Sequence, residues 1–336
     1  MSRHDTPPVL DVPGATPGLS ARLVDGLARV DDLLREVLDH DDPFIAGAAG
    51  HLAAAGGKRF RPLLTLLAAE LGDGINDDVV RAATGVELTH LASLYHDDVM
   101  DEAQVRRGVT SVNALYDNST AILVGDLLFG TASELIAGLG AEAVRIQART
   151  FVRLCAGQIR DDRPRPEGVD PVEYYLGVLA DKTGVLIATA ARYGAMFSGG
   201  TPELAELMRL YGEKVGIAFQ LADDLIDITS DADETGKTPG TDLREGVDTL
   251  PVIRAKASTD PADARLLELL SADLSDDDAG VAEALALLRV HPALDAAREE
   301  TYAVARDAQH LLDPLPDSDA KDALQALAVS VVDRNG

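Results

Sequence analysis

Tryptophan is absent from the 336 residues and aromatics amount to 4%, so the core cannot rest on large rings and must come from Ala, Leu, Val and Ile. Such cores suit closely packed helices. Cysteine occurs once, as Cys155, which excludes an internal disulfide and points to a reducing, cytoplasmic setting. Its apolar neighbours, FVRLCAGQI, make Cys155 an expected small core residue. Positive charge is scarce: 30 Lys and Arg against 57 Asp and Glu leave a net charge of -27. That balance argues against nucleic acid as a partner and against adhesion to anionic lipid by charge alone. No stretch offers the roughly 20 consecutive apolar residues of a membrane span, so no integral membrane segment is expected. The opening MSRHDTPPVLDVPGATPG has no apolar run, which excludes a signal peptide. Residues 1–18 are expected to be disordered and 19–336 to form one domain, because no Pro/Gly/Ser-rich linker divides the chain.

Acid, by contrast, is abundant and patterned. Asp97, Asp98 and Asp101 in SLYHDDVMDE repeat the spacing of Asp223, Asp224 and Asp227 in AFQLADDLIDI. On a helix the first and last Asp of each DDxxD share a face about 5 to 6 Å apart, where they repel unless a cation joins them. Oxygen ligands of this kind suit Mg2+, which takes one or two carboxylates together with substrate phosphates. With 40 Asp in the chain, shuffling alone produces one DDxxD roughly half the time, and a single acidic run is usually a solvated face. Two copies embedded among Leu94, Val99, Phe219, Leu221, Leu225 and Ile226 do not read as solubility residues.

The few cations matter by position. AAGGKRFRP places Lys58, Arg59 and Arg61 at a helix start behind two glycines, where backbone N–H groups, a point charge and a bidentate fork suit an anion. It is not a P-loop, since residue 52 is Leu and Arg59 stands where Ser or Thr is required. EAQVRRG puts Arg106 and Arg107 just past the first acidic helix; there they could complement the helix dipole or clamp the outer oxygens of a diphosphate. DADETGKTPGTD (231–242) imitates a calcium loop but carries Pro239 and lacks the terminal Glu.

Apolar residues recur at three- and four-residue spacing almost throughout, so the expected fold is all-α. Helices are read over 19–39, 43–55, 59–72, 77–100, 111–117, 119–138, 141–160, 171–198, 202–229, 249–257, 261–270, 278–289, 292–312 and 317–334. Both acidic motifs lie near the ends of long helices, so a bundle could aim both into one cavity.

GGKRFRP (56–62), HLASLYHDDVMDEAQVRRG (90–108), VGDLLFG (124–130), DKTG (181–184) and GIAFQLADDLIDI (216–228) together resemble the trans-isoprenyl diphosphate synthases, the polyprenyl synthetases, in order and rough spacing. The resemblance covers about residues 20–334. It implies a single catalytic domain: a helical bundle of isoprenoid synthase type around a central cavity, usually a homodimer. It further implies condensation of isopentenyl diphosphate with an allylic diphosphate such as geranyl, farnesyl or geranylgeranyl diphosphate. By matching position, Asp97, Asp101 and Asp223 would bind Mg2+, with Asp98, Asp224 and Asp227 completing the motifs. Lys58, Arg61, His90 and Arg107 would hold isopentenyl diphosphate, and Arg106, Lys182 and Lys237 the allylic diphosphate. Thr183 and Gln220 would line the reacting centre. Ala92 and Ser93, small residues one turn before the first motif, would leave room for a growing tail and a product of medium or long chain. One departure is Val247, where the family usually has lysine; Arg244 is the nearest substitute. The alternatives are a class I terpene cyclase, disfavoured by the second aspartate motif, and a non-catalytic subunit that sets chain length, disfavoured by the presence of both carboxylate sets.

Overall fold

The computed structural model describes residues 12–230 and 239–333. Its helices are α1 (Pro17–Leu38), α2 (Pro43–Ala54), α3 (Phe60–Ala69), α4 (Asp77–Met100), α5 (Val112–Leu115), α6 (Asn118–Ala137), α7 (Ala141–Asp161) and α8 (Pro171–Leu179). They continue as a π-helical turn (Ala180–Gly184), α9 (Val185–Phe197), α10 (Pro202–Thr229), α11 (Thr241–Arg244), α12 (Leu250–Lys256), α13 (Ala264–Leu270), α14 (Asp278–Leu288), α15 (Pro292–Leu311) and α16 (Asp319–Ser330). The expected all-α class is met. The sheet among the described residues is one hairpin, β1 (Val105–Arg106) paired antiparallel with β2 (Val109–Thr110).

The helix starts follow from side-chain chemistry. Thr16 before Pro17, Asp42 before Pro43, Asn76 before α4, Asp117 before α6 and Asp170 before Pro171 each accept a hydrogen bond from a first-turn N–H. Because Thr16 caps α1 and Val12 is buried, regular structure begins ahead of the expected residue 18; residues 1–11 lie outside those described. Helix α3 is shorter than the expected 59–72. Arg59 has φ +46° and so stands outside it, and its C-terminal end at Ala69 is followed by a turn.

The chain divides into two compact units. The first comprises the chain to Phe151, Leu186–Gly212 and Pro314–Leu324; the second comprises Val152–Val185, Glu213–Asp313 and the remainder of the C-terminal chain. In the first unit α4 packs against α1, α3 and α6. Val79, Ala82, Ala83, Val86, Leu88, Leu91 and Tyr95 are buried around almost its whole circumference, as expected of an interior helix. Gly85 allows the close crossing with α6, since a Cβ there would lie 2.7 Å from Ile136. The Tyr95 hydroxyl donates to the Ala48 carbonyl at 2.6 Å and ties α4 to α2.

In the second unit Leu221, Leu225 and Ile228 of α10 join one apolar cluster with Leu250, Leu266, Leu269, Leu285, Leu288 and Leu294 from α12 to α15. Tyr175 and Leu179 bring α8 into it.

Further expectations change. The single helix read over 171–198 is interrupted by the π turn at 180–184. The stretch after α4, which lies outside every expected helix, is a hairpin whose two turn residues, Arg107 and Gly108, both have positive φ (53° and 76°), the geometry of a tight two-residue turn. Cys155 is exposed rather than part of the core, because the face of α7 carrying Val152, Cys155 and Ile159 points outward. Helix α6 also qualifies by length and apolar composition as a membrane span, which no segment was expected to do; a third of its most apolar window is buried in the fold.

Candidate active site

Successive residues of a helix lie about 100° apart, so two adjacent aspartates cannot face the same way. In the first motif Asp98 is fully buried, whereas Asp97 is partly exposed and Asp101, which caps α4, is exposed. Asp98 accepts a hydrogen bond from Arg106 Nε at 2.5 Å, and the same guanidinium reaches Asp101 at 3.4 Å. Burial raises the pKa of Asp98 while the bond from Arg106 opposes the rise. Asn113 donates to the carbonyls of Asp98 and Ala103 and so fixes the end of α4 against the hairpin. Arg106 lies in the strand and Arg107 in the turn at positive φ, and the two guanidiniums reach different partners.

Arg107 donates to the carbonyls of Gly56 at 2.5 Å and Leu52 at 3.1 Å, and lies 3.8 Å from Glu87. Glu87 is buried and also pairs with Arg59 at 2.9 Å. Arg59 bonds Asp31 and the Ala53 carbonyl as well, so of the three basic residues in GGKRFRP it is turned inward while Lys58 is exposed. Arg61 is half-buried, and its Nε has no hydrogen-bond partner in the protein. Burial pushes its pKa down to about 10, with Glu87 opposing and Arg107 reinforcing the fall. Burial, followed by Arg61, Arg107, Arg106 and Arg59, drives His90 well below its ordinary value, so its imidazole is neutral at pH 7. Arg59, Arg61 and Arg107 have Glu87 and, on the Arg59 side, Asp31, so three guanidiniums outnumber two carboxylates, which is the electrostatic requirement for holding an anion.

The second unit repeats the division of labour on α10. Asp224 is buried, accepts the Tyr175 hydroxyl, and takes a longer bond of 3.5 Å from the Gln220 amide. Burial pushes its pKa up to about 8 against those two hydrogen bonds. Asp223 and Asp227 are partly exposed. Asp227 accepts the backbone N–H groups of Thr241 and Asp242, both at 3.2 Å, which anchors the loop after α10. Thr183 donates to Gln220 at 3.4 Å, and Lys182 pairs with Asp161 at 2.6 Å. Asp98 and Asp224, read from sequence within the metal motifs, are therefore bracing carboxylates, since each is buried on a partner of its own. Among the described residues no three acidic, His or Cys side chains form a ready cage. Two outward oxygen ligands per helix nevertheless fit Mg2+, whose remaining positions go to water and phosphate.

Lys237 and most of the calcium-like loop lie outside the described residues. Arg244, the expected substitute for a lysine at Val247, donates from its guanidinium to the carbonyls of Pro239 and Gly240 and to Asp278, and so closes the loop. Ala92 is fully buried, while Ser93, one turn before Asp97, stays partly open. Sequence reasoning missed Glu87, Asn113, Asp161 and Tyr175. Only Glu87 carried a legible signal, as a lone carboxylate inside the apolar run TGVELTH.

A helical fold that presents outward aspartate pairs at helix ends, with a pocket of surplus cations in one unit, defines a protein for handling diphosphates. The polyprenyl synthetase family model matches residues 42–288, and the chain belongs to that family. It is 51% identical over 312 residues to the nonaprenyl diphosphate synthase of Mycobacterium tuberculosis, covering 93% of each chain. A geranylgeranyl pyrophosphate synthase from Corynebacterium glutamicum, solved with calcium and isoprenyl diphosphate, superposes with a TM-score of 0.85 at 45% identity, covering 95% of this chain and 98% of that one. A decaprenyl diphosphate synthase from Rhodobacter capsulatus also gives 0.85, at 34% identity, covering 94% and 98%.

A histidine held neutral by burial and cations stabilises the fold fully above its unfolded pKa, near 6.5, and costs stability as pH falls below that value, because only the unfolded chain then gains the proton. Replacing His90 with Gln is expected to remove this dependence. The stability difference between His90→Gln and the parent, from urea titrations at several pH values, should shift in favour of the variant as pH falls from 7.5 to 5.5; a difference independent of pH would show that His90 is not held neutral.

Proposed function

We propose that the chain is a Mg2+-dependent trans-polyprenyl diphosphate synthase that condenses isopentenyl diphosphate with an allylic diphosphate. The observation that carries this reading is the cation pocket of the first unit, where the Nε of half-buried Arg61 lacks a protein acceptor among Arg107, neutral His90 and nearby Lys58. Arg61, Arg107, Lys58 and His90 are proposed to hold isopentenyl diphosphate; a neutral imidazole adds a hydrogen bond without further repulsion. Asp97 and Asp101 of the first motif are proposed to hold Mg2+, and so is Asp223 of the second, with Asp227, whose oxygens anchor the loop after α10, in support. When bound, Mg2+ would supply charge stabilisation to the departing diphosphate.

The chain's own residues orient and neutralise. Arg106 is proposed to turn from Asp101 to the allylic diphosphate while Asp98 keeps its Nε, and Lys182 to exchange Asp161 for the same substrate. Thr183 and Gln220 would present their dipoles to the carbon that loses its diphosphate. The allylic carbon–oxygen bond breaks with its electron pair on the diphosphate, the double bond of isopentenyl diphosphate forms the new carbon–carbon bond, and proton loss restores an alkene. No nucleophilic side chain is required.

On α4 the residue one turn behind Asp97 is Ser93, small and partly open, and it is proposed to leave room for a growing tail and a product of about thirty to fifty carbons. The 51% identical relative named as a nonaprenyl synthase supports the same range. Helix α6 leaves Leu123 66% and Leu127 40% exposed one turn apart, a face proposed to be covered by a second copy in a homodimer.

Asp97→Ala and Asp223→Ala are each expected to reduce turnover at least about a hundredfold with unchanged circular dichroism, on the scale of lost electrostatic stabilisation; labelled isopentenyl diphosphate offered with Mg2+ and each primer in turn measures it, and near-full activity in either variant refutes the metal assignment. Ser93→Phe should shorten the product, read by sizing the dephosphorylated chains; an unchanged distribution means that the tail does not pass Ser93. Leu123→Glu should halve the mass seen by sedimentation, and a parent chain that already sediments as a monomer would contradict the homodimer.

A further inference from the structure

Lys182 and Thr183 sit on the π turn, and a π turn does not persist on its own: it inserts a residue into the helical ladder and tends to occur where function holds it. Three contacts within the second unit hold this one. Asp181 accepts a hydrogen bond from Arg153 Nε at 2.7 Å and pairs through its other oxygen with Arg160, two turns further along α7. Arg153 turns its second nitrogen to Glu213 on α10 at 2.8 Å, two turns before Gln220. Between the arginines Gly157 is buried against the turn itself, where a Cβ would lie 2.5 Å from the Lys182 amide nitrogen, 2.8 Å from the Asp181 carbonyl carbon and 2.9 Å from Lys182 Cα. Those are backbone atoms, which cannot swing aside.

We propose that Asp181, clamped by Arg153 and Arg160 over Gly157, is a positioning residue that fixes the π turn and thereby sets where Lys182 and Thr183 meet the allylic diphosphate. Asp181 lies mostly buried, with 15% of its side chain exposed, and both oxygens are engaged, so it is committed to structure and does not reach substrate. Its neighbour Lys182 points instead to Asp161, and Thr183 to Gln220. Because Arg153 holds Asp181 and Glu213 at once, it couples the turn to the helix that carries Gln220 and Asp223. A shift of the turn by a fraction of a helical residue would misplace both functional side chains together. This inference rests on the proposed role of Lys182 at the allylic diphosphate.

A double-mutant cycle tests it in the full-length enzyme. Lys182→Ala alone is expected to raise the Michaelis constant for the allylic primer and lower kcat. Asp181→Asn alone is expected to lower kcat/KM for the primer about tenfold, with KM for isopentenyl diphosphate unchanged within about twofold. In the Lys182→Ala background Asp181→Asn should add clearly less than its roughly tenfold loss, because the part of its effect that passes through the lysine is gone and only the part through Thr183 remains. Asp181→Glu, which keeps the charge for both arginines, should restore part of the activity. A full tenfold loss in both backgrounds, or equal damage to both Michaelis constants, overturns the positioning role. If Lys182→Ala leaves primer kinetics untouched, the reading of Lys182 itself fails, and that result is distinct from an inert Asp181→Asn beside a damaging Lys182→Ala. Should Asp181→Asn not fold, Arg160→Gln removes one of the two clamps and is expected to show the same selective pattern at smaller size; uniform loss for both substrates would refute the proposal.

Discussion

The constraint on which the surroundings of each aspartate motif depend is the burial of one of its carboxylates. A helix cannot aim two consecutive side chains at one target, so Asp98 and Asp224 enter the interior when Asp97 and Asp223 face outward. A buried carboxylate is costly unless bonded, and each has recruited partners: Arg106 for Asp98, and Tyr175 with Gln220 for Asp224. Those partners are fixed in turn. Arg106 brings with it the tight hairpin that delivers Arg107 to the cation pocket, and Gln220 links Asp224 to Thr183 on the π turn. Bracing and function therefore share residues, which is why the motif needs two adjacent acids where two outward ligands would suffice for a metal.

Glu87 plays the complementary part. Arg59, Arg61 and Arg107 repel one another, and a chain of net charge -27 has ample exposed acid with which they could pair. A single carboxylate in the interior beneath them holds the arginines together without meeting their whole charge. Arg59 absorbs much of Glu87, along with Asp31, so the outer pair stays undercompensated. Placing the carboxylate below and leaving Arg61 Nε without a protein acceptor is what distinguishes a receptive pocket from a salt-bridge network.

The helices were legible because three- and four-residue periodicity and end caps are local properties of sequence. The run Asp77–Met100 begins after an Asn cap and two acids, and its boundaries agree with the reading from sequence. The π turn was invisible, since Ala180–Gly184 has unremarkable helical composition and the distortion is imposed by Arg153, Arg160 and Gly157 from another helix. The hairpin at 105–110 has no local signal because its turn places Arg107, a residue type that rarely adopts positive φ, where Asn or Asp is usual. Exposure of Cys155 could not be read either, because an apolar stretch looks the same whether its outer face is covered by its own chain or left bare. Pairings such as Lys182 with Asp161 join residues in different helices, and no single-sequence pattern marks them.

The basic side chains that remain show how the site can be cationic and still close-packed. Burial lowers the affinity of Arg61 and Arg107 for their protons, and the nearby arginines push His90 to its neutral form, so the strain of concentrated charge falls on the one group able to discharge. A lysine or arginine in place of His90 would be driven in the same direction but would have much further to go before losing its charge. An apolar residue would relieve the repulsion yet remove a hydrogen-bonding group from the pocket. Imidazole satisfies both requirements near neutral pH, and that physical reason for a histidine at position 90 holds whatever the length of the chain the enzyme makes.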